Sequence, residues 1–100
     1  MSEDCRIDVW LWRARFFKTR SLAARAVETG RVRLVRAGQE ARIEKPGRSI
    51  RPGDGLVFAL GGKLTAVRVE AVGERRGPAV EARTLYAPLD TPVAADGIDT

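Results

Sequence analysis

Residues 6–33 read RIDVWLWRARFFKTRSLAARAVETGRVR, and the apolar spacing inside this basic stretch decides the fold. Ile7, Trp10, Leu11, Ala14 and Phe17 recur at three- and four-residue intervals, so one face of a helix running to Phe17 collects them. Arg13 and Lys18 fall nearer the other side. Lys18-Thr19-Arg20-Ser21 then forms a basic hinge. Thr19 carries the hydroxyl expected of an N-cap, an acceptor for the free amides of the next turn, and Gly30 suits the C′ position where φ turns positive. Between them Leu22, Ala23, Ala26 and Val27 make a second apolar stripe, with Arg20 and Arg25 off it. The pattern is helix, tight turn, helix.

Past Gly30 the apolar period shortens to two. Val32 and Leu34 alternate with Arg31, Arg33 and Arg36, which reads as a strand with a basic outer face. Residues 37–40 suit a turn, 41–44 a weak strand, and 45–54 a loop with two Pro-Gly turns. A compact apolar strand over 55–60 meets Gly61-Gly62, a pair suited to a two-residue hairpin, and 64–72 returns with Val67, Val69 and Ala71 inward. Pro78 with Ala82, Leu85 and Tyr86 at helical spacing predicts a short closing helix. Residues 87–100 offer little to bury, and a disordered acidic tail is expected there. The fold class is therefore α+β, with two N-terminal helices packed on a small antiparallel sheet and a short C-terminal helix. Residues 6–86 make one domain.

Charge and composition narrow the partner. Lys and Arg against Asp and Glu count 9 to 4 in residues 1–36, 5 to 3 in 37–64 and 4 to 6 in 65–100, excesses of +5, +2 and −2. A positive field concentrated beside the first two helices suits a polyphosphate, and nucleic acid is the first hypothesis. The calculated pI of 10.3 also favours acidic lipid. The chain has no histidine and a single cysteine, Cys5. This excludes histidine-based hydrolase triads and an intramolecular disulfide, and leaves a cysteine-based metal site short of ligands. No metal, no cofactor and no enzymatic activity are expected. The N-terminus is polar and acidic, and no apolar run approaches the roughly 18 residues of a membrane span, so a soluble, cytoplasmic protein without a membrane partner is expected.

The order Arg6-Ile7-Asp8, Leu11, Lys18-Thr19-Arg20-Ser21, Ala24, Gly30-Arg31-Val32 and Arg51-Pro52-Gly53-Asp54 resembles the alpha-L RNA-binding motif, also called the S-four domain, over residues 6–60. The continuation through Glu74-Arg75-Arg76-Gly77-Pro78-Ala79, Glu81-Ala82 and Leu85-Tyr86 resembles the branch called heat-shock protein fifteen. That resemblance implies a noncatalytic protein that binds structured ribosomal RNA on the large ribosomal subunit. It further implies a role in stress response and in recycling subunits left with peptidyl-tRNA. Carried over by position, the RNA-binding residues are Arg6, Lys18, Thr19, Arg20, Ser21, Arg25, Arg31 and Arg33. Recognition of shape and backbone is expected, because A-form grooves display little base information to a flat basic surface. The sequence departs from the pattern twice. No Asn-Gly turn follows the first strand, and an acidic tail to Thr100 stands where the branch commonly has a long basic extension, so contacts made by such an extension are expected to be missing.

Other readings stay open at this stage. Helix, turn and basic helix also fit a helix-turn-helix DNA binder, though an Ala-rich second helix offers few base-reading side chains. A targeting subunit of an RNA-modifying enzyme is a third. Trp10 and Phe17 belong to the core by their spacing, while Trp12 could stack on RNA, cover the closing helix or meet another copy. Asp8 reads as the partner of Arg6 and Arg20 rather than as a catalytic acid. Arg75-Arg76 fits either an accessory phosphate site or an exposed loop. A monomer is expected.

Overall fold

The computed structural model describes residues 4–89, so the expected tail over 90–100 lies outside the described residues. Cys5–Arg6 (β1) leads into helix α1, Ile7–Arg13, with Arg6 as an extended N-cap and Asp8 in the first turn. The helix stops short of Phe17. Arg15 takes φ +67°, and the Arg15 and Phe16 amides turn back to the Trp12 and Leu11 carbonyls at 3.0 Å each. A left-handed non-glycine residue costs on the order of 1 kcal/mol, and the Arg15 Nε bond to the Gly77 carbonyl at 2.7 Å helps hold it. The reversal swings Phe16 and Phe17 onto the sheet, where their rings lie 5.1 and 6.2 Å from Phe58.

Helix α2, Arg20–Glu28, begins and ends as its residue types require. Thr19 Oγ1 accepts the Leu22 amide at 3.0 Å. At the other end the Gly30 amide donates to Val27 and the Arg31 amide to Ala26, each at 3.0 Å, the two bonds of a Schellman closure with Gly30 at φ +77°. Ala23, Ala26 and Val27 are buried, but Leu22 is 48% exposed, a correction to the expected stripe.

Five antiparallel strands form the main sheet in the order β3-β2-β5-β6-β7: Val32–Arg36 (β2), Gln39–Ile43 (β3), Gly55–Leu60 (β5), Lys63–Val69 (β6) and Tyr86–Pro88 (β7). Ser49–Ile50 (β4) pairs separately with β1. Strand pairing of Arg36 with Gln39 leaves Ala37-Gly38 as a two-residue turn, both at positive φ (54° and 77°). The missing Asn-Gly turn is thus replaced by Ala-Gly in the same left-handed geometry. On one sheet face Val32, Leu34, Ile43, Leu56, Phe58, Val67 and Val69 meet Ile7, Trp10, Leu11 and Val27 in a single core. Trp10 is wholly buried and its Nε1 donates to the Ala71 carbonyl at 2.8 Å, as burial of an indole N–H demands.

The closing segment differs from a simple helix. Pro78 caps Ala79–Ala82 (α3), which tightens into a 3₁₀ turn over Arg83–Leu85, and the chain then extends as β7. Tyr86 therefore leaves the helix, and Ala87 and Pro88 pair with Arg68 and Val67 rather than starting a tail. Arg36, expected on the basic outer face, instead shares the parity of Val32 and Leu34 and donates from Nε and Nη2 to the two oxygens of buried Asp54 at 2.8 and 2.7 Å. The same carboxylate accepts the Arg51 amide at 2.9 Å. Burial raises the Asp54 pKa, but the Arg36 and Arg51 bonds and charges prevail, and it titrates below the ordinary carboxylate range.

Candidate nucleic-acid interface

The hinge is presented by the cap that starts α2. Lys18, Thr19, Arg20 and Ser21 are all exposed. Thr19 accepts from Leu22, so its oxygen is partly engaged by the helix while its hydroxyl hydrogen stays free to donate. Arg20, Ser21 and Ala24 border a shallow hollow with Asp8. Asp8 is buried and accepts two bonds from Arg6, Nε to Oδ1 at 3.1 Å and Nη2 to Oδ2 at 3.0 Å. Those hydrogen bonds and the Asp8 charge hold the Arg6 guanidinium above its ordinary pKa and aim it, with its side chain 54% exposed. Asp8 is thus an orienting residue for Arg6.

Arg25 and Arg31 meet at a second place. The Schellman closure brings the start of β2 back along α2, so both line a groove floored by Phe17, Leu22 and Ala26. Leu22, whose spacing suits the core, is instead exposed in this groove. Arg33 stands farther along β2, opposite Arg42 in β3, with Glu40 Oε2 4.0 Å from its Nε. The structure therefore brings Arg6, through Asp8, beside Arg20 and Ser21, and sets Arg25 with Arg31 in a separate groove, while Arg33 lies on the adjoining sheet.

Other cations that sequence leaves outward are engaged internally. Arg13 Nη1 donates to the carbonyls of Val72 and Gly73 at 3.3 and 2.8 Å, stitching α1 to the chain after β6. Arg76 Nε donates to the Trp12 carbonyl at 3.0 Å while its guanidinium lies 5.8 Å from the Trp12 ring centroid. Arg75 pairs with Glu81 at 2.7 Å. Trp12 is covered by Arg76, which closes the fold, while Arg75 stays exposed in the loop with only its surface pair to Glu81. Cys5 is half-buried beside Arg13; burial pushes its thiol pKa up.

Sequence reasoning passed over Arg42, Lys45 and Arg48. They lie with Arg6, Glu44 and Gly47 around an open cleft of about 520 Å³. The signal was a basic residue at each side of Pro46-Gly47, unreadable without knowing that this loop packs on the start of α1. No group of three or more metal-ligating side chains occurs among the described residues, and no described helix is long and apolar enough to cross a membrane.

Comparison with known proteins agrees with this geometry. Residues 5–34 match the S4 domain family model. The chain is 40% identical over 83 residues to heat shock protein 15 of Escherichia coli K12, covering 83% of this chain and 59% of that protein. It is 30% identical over 74 residues to the RQC P-site tRNA stabilizing factor of Listeria innocua, covering 74% and 75%. A trimeric structure of Vibrio cholerae heat shock protein 15 superposes with a TM-score of 0.76 at 37% identity, over 92% of this chain and 88% of that one.

Proposed function

The chain belongs to the heat shock protein 15 family of S4-domain proteins, and from that premise we propose that it binds structured ribosomal RNA on the large ribosomal subunit. In this reading it is noncatalytic and cytoplasmic, and it acts in stress response by helping recycle stalled subunits that still carry peptidyl-tRNA. The similarity to the RQC P-site tRNA stabilizing factor of Listeria innocua supports the tRNA-bearing state as the target. The chain spans 59% of the length of its Escherichia coli relative, so the role assigned here is that of the shared RNA-binding domain. That domain is residues 6–86 extended through β7.

The observation that carries the proposal is the hinge, four exposed residues of which Lys18 and Thr19 precede α2 and Arg20 and Ser21 open its first turn, beside a guanidinium oriented by a buried carboxylate. Lys18, Arg20 and Arg6 would meet backbone phosphates, Ser21 and the Thr19 hydroxyl would donate to phosphate oxygens, and Arg25, Arg31 and Arg33 would extend the contact. A surface of this kind reads the shape of a junction rather than bases.

The test is a competition between structured ribosomal RNA and duplex DNA at several salt concentrations, repeated with Lys18→Glu and Arg20→Glu. With about four phosphates neutralised, log affinity should fall with log salt at a slope near −3. Each reversal should weaken RNA binding at least about tenfold. Equal affinity for DNA, or hinge variants that bind like wild type, would sink the proposal. Sedimentation with separated ribosomal subunits then checks the large subunit, and light scattering distinguishes the expected monomer from the trimeric form of the Vibrio cholerae relative.

A further inference from the structure

The cleft bounded by Arg6, Arg42, Lys45 and Arg48 lies outside the helix, hinge and strand positions assigned above, apart from Arg6 itself. Its walls come from three places in the chain and are locked together by backbone. The Ile7 amide donates to Arg48 at 2.8 Å and the Asp8 amide to Pro46 at 3.3 Å, and β1 pairs with β4 immediately beyond. The loop that carries Lys45 and Arg48 is therefore fastened to the start of α1. Arg6 is held by Asp8, and its guanidinium rests over Gly47, where a Cβ would lie 3.8 Å from Cζ. On the far wall Arg42 reaches back over Gly30, where a Cβ would come within 2.6 Å of Nη2, and pairs with Glu44 at 3.3 Å. Four cations thus line one opening; Arg6 is paired with Asp8 and Arg42 with Glu44, which leaves Lys45 and Arg48 as its exposed excess charge.

Two connections argue for a continuous ligand. The Arg6–Asp8 pair is shared, since Arg6 lines this cleft and Asp8 lines the hollow of Arg20 and Ser21. At the other end Arg42 is the cross-strand neighbour of Arg33 and lies against Gly30, next to Arg31. Cations therefore run from the hinge through Arg6 to the loop and on to the start of β2. An open cleft along such a path suits a chain that enters and leaves, with phosphates at regular intervals, better than an enclosed small anion.

We infer that Arg6, Arg42, Lys45 and Arg48 form a second phosphodiester-binding cleft that carries the RNA backbone from the hinge across to the sheet. The inference rests on the RNA-binding reading above. Lys45 and Arg48 are exposed and hold the loop through main-chain bonds, so Lys45→Gln with Arg48→Gln should leave the melting temperature unchanged.

The experiment titrates the full chain with a structured large-subunit RNA fragment over a salt series, comparing wild type, the double Gln variant and the Lys18→Glu/Arg20→Glu hinge variant. Loss of two phosphate contacts should make the salt slope shallower by about 1.4–1.8 and weaken low-salt binding about tenfold or more. Loss in the hinge variant without loss in the cleft variant overturns the inference and leaves the RNA reading standing, while no loss in either overturns both. Inorganic phosphate forms a separate arm. If it raises the melting temperature of wild type but not of the double Gln variant, while the two bind RNA equally, the cleft belongs to free phosphate and the inference fails.

Discussion

Replacing Asp54 should destabilise the domain by an amount that depends on pH in a calculable direction. Its carboxylate is 2% exposed and accepts three hydrogen bonds, two from Arg36 and one from the Arg51 amide. Removing one partner of a buried pair costs about 3–5 kcal/mol. The Arg36 side chain is 32% exposed and can recover part of its hydration, so Asp54→Ala should cost roughly 2–4 kcal/mol, toward the lower part of that range. Asp54→Asn keeps an acceptor for the Arg51 amide and loses the charge, which predicts about 1.5–3 kcal/mol. For a domain of this size each kcal/mol moves the melting temperature by about 4–8 °C. Urea unfolding followed by circular dichroism gives the free energies directly. Because the folded pKa is depressed, the pair's stabilisation is fully present above the unfolded value near 3.9 and is lost as pH falls through the lower folded value. Wild type should thus lose its advantage over Asp54→Asn on acidification below about pH 4. A difference under about 0.5 kcal/mol at neutral pH, or one that persists unchanged into acid, would refute the assignment of Asp54 as the ionised clasp between β2 and the turn before β5.

Two further outcomes follow from other parts of the fold. Ala37 holds φ +54° in a turn whose geometry favours Asn, so Ala37→Asn should stabilise by about 0.5–1 kcal/mol in thermal unfolding; a loss of stability would contradict the left-handed turn. Arg76→Ala removes the bond to the Trp12 carbonyl and the cover on that ring, and should cost about 1–2 kcal/mol with RNA affinity changed less than about twofold. A large affinity loss with unchanged stability would return Arg76 to a phosphate-binding role.

Where local chemistry suffices, the sequence determined the outcome. Thr19 and Gly30 set the ends of α2, since a hydroxyl cap and a positive φ are demands that nearby backbone alone imposes. Period-two apolar residues put Val32 and Leu34 inward, and Gly61-Gly62 closed its hairpin with both φ values positive. The helix-turn-helix outline, the exposed hinge and the Arg6–Asp8 pair were legible for the same reason, while the alpha-L motif was read from the resemblance of the residue order to that family. Elements whose form depends on distant partners were not. The end of α1 before Phe17 answers to aromatic packing on Phe58, and the strand at Tyr86–Pro88 exists only because β6 presents an edge.

The fate of the arginines was decided by tertiary structure alone. Every guanidinium carries the same charge and the same fork of donors, so a stretch of sequence says only that each needs acceptors or water. Arg13, Arg15 and Arg76 found carbonyls 59 to 64 positions away, and Arg36 found a buried carboxylate 18 positions on. Arg42, Lys45 and Arg48 instead came to line a cleft with Arg6, because the carbonyls of Pro46 and Arg48 accept the free amides of the first turn of α1. Net charge was written in the composition; which charges face solvent was settled by where the folded backbone left its acceptors.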